Sequence, residues 1–182
     1  MRDPAPPYRG EGAYALWHVS GDPGIAVFSP HRAATAVGDE PLVWAIDTRH
    51  LPLYWFPRDC PRGTFWADAG TTHDDIDRFL AGDRHARVHA IEPPWEERLP
   101  DARLYAYRLP EDGFEPYEPA GGYWVSRKTV ETLEVQPLGD LVRLHRDAGI
   151  ELRVVPRLLE LWDDVIASTL EFSGIRLRNA AR

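Results

Sequence analysis

Residues 13–25 read AYALWHVSGDPGI, and the residue in that run best suited to chemistry is His18. An apolar, aromatic stretch ends in His-Val-Ser, and Gly-Asp-Pro-Gly turns the chain straight afterwards. The first part has the composition of a buried strand, the second that of the turn that ends it. A histidine placed there sits at the rim of a sheet, where a ligand can reach it. An imidazole with an ordinary pKa of about 6.5 suits both hydrogen bonding and proton transfer. The plainer role is a strand-end histidine bonded to a nearby carbonyl, and both roles stand at this point.

A second concentration of chemistry is WAIDTRHLPLYWFPRDCPR, residues 44–62, with Asp47, His50, Tyr54, Arg58, Cys60 and Arg62. Prolines and aromatic residues stiffen it, and polar loops on a rigid frame often carry function. Arg58 and Arg62 are candidate anion contacts, since a guanidinium grips phosphate or carboxylate in bidentate fashion. They flank Cys60, and nearby positive charge lowers a thiol pKa. That makes Cys60 a candidate nucleophile, with His18 or His50 as its base. The competing role for Cys60 is a small buried apolar residue. His85 and His89, with Asp74, Asp75 and Asp77, raise the question of a metal. The aspartates fall on different faces of one helix, so a solvated acidic face with surface histidines is expected and no metal site. The phosphate-loop, dinucleotide, zinc-protease and serine-hydrolase signatures are absent.

The elements that must position these residues follow from composition and periodicity. A chain of 182 residues with 43% hydrophobic content and seven Trp can build a real core. No apolar run approaches the roughly 18 residues of a membrane span, and the N-terminus lacks the apolar segment of a signal peptide. A cytoplasmic location without membrane attachment is the expectation. A single cysteine allows no internal disulfide. The net charge of −8 argues against a nonspecific grip on nucleic acid, which depends on a basic surface. A small-molecule or nucleotide partner remains.

Residues 1–12 read as a flexible arm and 13–182 as one α+β domain. Strands are expected over 13–19, 42–46, 63–67, 86–91, 102–109, 122–126, 129–135 and 151–155. Residues 29–41 read as a loop, and 50–56 and PPWEERL as short helical pieces. Thr72 caps a helix that Gly82 ends, residues 138–148 form another, and a last one runs from Pro156 to about Phe172. Arg176 and Arg178 share a face if that tail is extended. The pattern is a mixed, largely antiparallel sheet with three or four helices, not a doubly wound one.

Two resemblances enter on these residues. The runs LWHVSGDPGIAVFSP, VWAIDTRHLPLYWFPRDCPRGTFW and ELRVVPRLLELWDDVIASTLEFSGIRLRNA resemble an uncharacterised family of bacterial proteins of unknown function, which lends no activity. More remotely, residues 13–136 resemble the ADP-ribosyltransferase-like fold of the rifampin-modifying type. His18-Val19-Ser20 matches its opening strand, YAYRLPEDGF its later strand and exit, and GYWVSRKTVETLEV its final hairpin. That resemblance implies an enzyme transferring ADP-ribose from NAD with loss of nicotinamide. His18 would contact a ribose hydroxyl, Ser20 would line the nicotinamide pocket, and Tyr54 would stack on the ring. Some relatives of that fold use Arg and His on a 2′-phosphate instead of Glu on NAD, an option that Arg58 and Arg62 keep open as nucleotide contacts. A carboxylate would stabilise the oxocarbenium-like transition state. The chain departs from the pattern here: the position of that acid holds Gly121 or Gly122, and Glu118, Glu131 and Glu134 fall off the motif. A non-catalytic module binding a small anion or nucleotide, and a Cys60-dependent enzyme, are the alternatives.

Overall fold

The computed structural model describes residues 15–32, 40–117 and 121–182. The arm expected over 1–12, the first residues of the opening strand, residues 33–39 of the 29–41 loop, and Glu118 lie outside them. In chain order the strands are β1 (Leu16–Ser20), β2 (Val27–Phe28), β3 (Val43–Asp47), β4 (Arg62–Trp66), β5 (Arg87–Ile91) and β6 (Tyr105–Leu109). They continue with β7 (Glu115–Pro116), β8 (Tyr123–Ser126), β9 (Val130–Glu131), β10 (Glu134–Pro137), β11 (Ile150–Val154) and β12 (Glu171–Ile175). The helices are α1 (His73–Leu80), α2 (Pro93–Glu96), α3 (Leu141–Asp147) and α4 (Leu158–Ile166). The α+β class and the largely antiparallel pairing match the sequence; β5 with β11 is the one parallel pair among the described residues.

The chain packs as two units. The first takes residues 15–55 and Arg103–Gly139. Its sheet has six strands in the order β10-β6-β1-β3-β8-β7, and β2 and β9 pair separately. Alternation puts Leu16, Val43, Ala45, Tyr107 and Leu109 on one face, where they pack with Phe28 and Val130. Burying each such side chain is worth about 1.5–3 kcal/mol.

The second unit takes Phe56–Ala102 and Asp140–Arg182. Its sheet runs β11-β5-β4-β12, and α1 and α4 lie on the face that carries Phe65, Val88 and Ala90. Gly63 and Gly174 are register partners on that face. A Cβ at Gly63 would stand 2.9 Å from the Trp162 ring, and one at Gly174 2.6 Å from it. The two glycines make the flat bed on which α4 rests its indole. α1 begins as read: Thr72 accepts from the Asp75 N–H, and Asp74 and Asp75 sit in the first turn.

The last helix is shorter than its apolar periodicity suggests. It spans Leu158–Ile166, not 156–172, and Glu171–Ile175 pairs with β4 as β12. Ser168 donates to the Val165 carbonyl at 2.6 Å and accepts from the Leu170 N–H, while the Thr169 N–H goes to Asp75. These side-chain bonds compete with the helical ladder and end it. The stretch expected as one strand over 129–135 divides into β9 and β10. Arg176 takes a left-handed φ of 58° and leads into a 3-10 turn, Leu177–Asn179, so it and Arg178 do not alternate along an extended tail.

Candidate functional site

β1 pairs with β6 over all five of its residues, but with β3 over only two, Leu16↔Asp47 and Trp17↔Ile46. Past Trp17 the two strands part. There the Nδ1 of His18 donates to the Trp44 carbonyl at 2.9 Å. A carbonyl only accepts, so the proton is on Nδ1 and the Nε2 of a neutral His18 carries the lone pair. His18 is half-buried, with its ring 4.7 Å from that of Phe28. Each backbone group facing the split needs some partner other than a strand.

The turn after β1 is held in place by its own side chains. Ser20, on the same face as His18, accepts from the Asp22 N–H at 3.1 Å, and Asp22 accepts from the Gly24 N–H at 2.8 Å. From β6, the Tyr107 hydroxyl donates to the Asp22 carbonyl and accepts from the Ile25 N–H. His18 is opposite Tyr107 in the register, so imidazole, phenol and turn form one connected wall.

Tyr54 is elsewhere. Its hydroxyl donates to that of Tyr123 at 3.0 Å. Tyr123 is opposite Ile46, and Ile46 is opposite Trp17. Since Trp17 and His18 alternate, Tyr123 and Tyr54 belong to the sheet face away from His18. The expectation that His18 and Tyr54 share one cleft is corrected on this geometry. Near the end of β3, Asp47 accepts from both the backbone N–H and the Nδ1 of His50, at 2.9 and 2.8 Å. The His50 ring lies on Gly122: a Cβ there would be 2.2 Å from Nδ1. Gly122 also has a φ of 84°, which glycine alone adopts without strain. Of the two glycines at the position of the expected acid, Gly122 is thus required by His50 and by its own backbone, while Gly121 has open space around it.

Arg58, Cys60 and Arg62 belong to the second unit. Arg58 is exposed. Arg62 is 2% exposed, donates to the Cys60 carbonyl at 3.0 Å, and lies over the Phe56 ring. It braces the turn and is not presented to an anion. Cys60 is fully buried, and burial pushes its thiol up to about 12 even against the charge of Arg62. A thiol held protonated is no nucleophile at neutral pH, which removes the physical basis for a Cys60 enzyme.

One cluster was not expected, and it corrects the surface position expected of His89, which is fully buried. His89, in β5, donates from Nδ1 to the Nε2 of His145 at 3.0 Å, and His145 donates from Nδ1 to the Leu141 carbonyl at 2.7 Å. Burial drives the pKa of His89 well below its ordinary value, helped by His145 and Arg87. Burial also takes His145 down to about 4, against the Leu141 bond. The one available signal was position: His145 follows Leu141 and Leu144 on the apolar stripe of α3, and His89 alternates with buried Val88 and Ala90. His85 is exposed, and no group of three or more His, Cys, Asp or Glu among the described residues is arranged to hold a metal. Nor is any helix among them long and apolar enough to cross a membrane.

Neither the curated proteins nor the solved structures contain a match to this chain. A family model does match, over residues 17–180. The chain therefore belongs to DUF6886, a family of unknown function.

Proposed function

We propose that this protein binds a ribose-bearing nucleotide of the NAD class where β1 parts from β3, with His18 accepting a ribose hydroxyl. The observation that carries this reading is the two-pair β1–β3 ladder, with the His18 Nδ1 on the Trp44 carbonyl just beyond it. That bond fixes the tautomer whose Nε2 accepts a hydrogen bond, and a hydroxyl is the donor it suits. NAD in particular is favoured by the resemblance of His18-Val19-Ser20 and the later strands to the ADP-ribosyltransferase-like fold. Binding without turnover is the form the geometry supports best. Gly122 carries no acid, and its Cβ space is filled by His50.

Thermal unfolding in millimolar NAD or ADP-ribose tests this, with nicotinamide release assayed in the same samples. A ligand at 100 times its Kd stabilises by about 2.7 kcal/mol, which raises Tm by several degrees. The wild type should show that rise and His18→Ala should lose it, with release at background. No rise in the wild type, or an equal rise in both, contradicts the reading. Release from NAD above background that vanishes in His18→Ala would make the protein an NAD-cleaving enzyme instead of a binding module.

A further inference from the structure

β12 ends the sheet of the second unit, with β4 on one side and no strand on the other among the described residues. An open strand edge is a template for pairing with another chain unless proline or charge blunts it. The other sheet ends are blunted in this way: β7 has Pro116, β10 has Pro137, and β11 has both Glu151 and Arg153. β12 reads Glu-Phe-Ser-Gly-Ile, with its one charge at its start. The Ser173 carbonyl faces β4, where it accepts from the Thr64 hydroxyl at 3.0 Å. By alternation the N–H and C=O groups of Phe172 and Gly174 point to the open edge.

Apolar surface runs beside that edge. Asp164 pairs with Arg78 of α1 at 2.8 Å, which turns one flank of α4 toward α1. Leu159, Trp162 and Ile166 share the other flank at helical spacing. Trp162 lies on Gly174 and meets the Phe172 ring edge-on at 5.4 Å, so this flank faces β12. Phe172 is 43% exposed and Ile166 48%. Trp162 also covers Gly63 in β4, so α4 sits over the β4–β12 pair.

We propose that two copies of this chain dimerise edge to edge through β12, about a two-fold axis at Ser173. In that register Phe172 of each copy exchanges both backbone bonds with Gly174 of the other. The axis is perpendicular to the sheet, so both α4 helices stay on one face. Each lies midway between β4 and β12, so the two stand two strand spacings apart, about 10 Å, the distance at which helices pack. With Trp162 near the axis, Ile166 of one helix meets Leu159 of the other. Charge selects a second copy as the partner. Glu171 opens β12 and Arg176 follows it, and neither has an ion-pair partner among the described residues. Antiparallel pairing brings Glu171 of each copy beside Arg176 of the other, and opposite charges across a strand pair are favourable.

Sedimentation equilibrium of the full chain, from about 1 to 200 μM, tests this, with a reversible dimer expected to dissociate within that range. Ile166→Asp should weaken the dimer by at least about tenfold, and Glu171→Arg by about threefold or more. Both residues are on the surface, so Tm at the lowest concentration should stay at the wild-type value. Glu171→Arg combined with Arg176→Glu should recover most of the affinity that Glu171→Arg alone loses. A monomer throughout, or an assembly larger than a dimer, overturns the proposal. So does a dimer whose affinity ignores Ile166→Asp or Glu171→Arg, or a double variant that stays as weak as the single one.

Discussion

His50 and Gly122 occupy each other's space. A side chain at 122 would have to displace an imidazole whose Nδ1 is bonded to Asp47, and would also sit in a left-handed backbone. Gly122→Ala should therefore cost about 2–4 kcal/mol, summing left-handed strain and overpacking. Urea unfolding at neutral pH measures it, and a loss below about 1 kcal/mol would mean that the ring moves away freely. Cys60 makes the opposite kind of prediction. Its buried, protonated thiol should react with iodoacetamide at neutral pH only as fast as the chain unfolds. Fast native labelling would show an accessible thiolate. The prominence of His18 was legible because an apolar run stops at it. The reason for Gly122 was not, since the residue that demands it lies 72 positions earlier, as the numbering shows.

At the level of elements, local signals worked where the local chain decides the outcome. Thr72, the aspartates after it and Gly82 mark α1 because capping uses the chain's own neighbours. The end of α4 could not be read in the same way. Apolar spacing runs on past Ile166, and the stop depends on Thr169 reaching Asp75 and on β4 offering an edge to Glu171–Ile175. The glycine bed under Trp162 is another contact between distant segments. Gly174→Ala should destabilise by about 1–3 kcal/mol through overpacking, because its Cβ would press on both Trp162 and Leu177. The same change in a Trp162→Leu background should cost less, and a double-mutant cycle showing no coupling would refute the bed.

For the molecule as a whole, the His89–His145 pair ties stability to pH. Both native pKa values lie below the ordinary 6.5, that of His145 at about 4. Between those values and 6.5 the unfolded chain binds protons that the native chain does not. Stability therefore rises with pH through that window and is lost as pH falls from about 6.5 toward 4. The slope from the pair is at most about 1.4 kcal/mol per pH unit for each histidine. Replacing both, as His89→Phe with His145→Leu, should flatten urea-unfolding stability between pH 6.5 and 4.5 relative to wild type; parallel curves would contradict the assignment. The class of the fold was legible from strand and helix periods. Its division was not, because the chain leaves one unit at Trp55, returns at Arg103 and leaves again at Gly139. The candidate site was half legible: composition singled out His18 and Ser20, but only the register showed that Tyr54 belongs to the opposite face.

In the proposed site His18 accepts a ligand hydroxyl at Nε2 while the Trp44 carbonyl holds Nδ1. Long-range proton–nitrogen NMR of the imidazoles, recorded during titration with millimolar ADP-ribose, reads both nitrogens at once. An Nδ1-protonated His18 in the free protein and a saturable change of its Nε2 resonance on titration are expected. An Nε2-protonated ring, or an Nε2 resonance that ADP-ribose leaves unmoved, would contradict the proposed site.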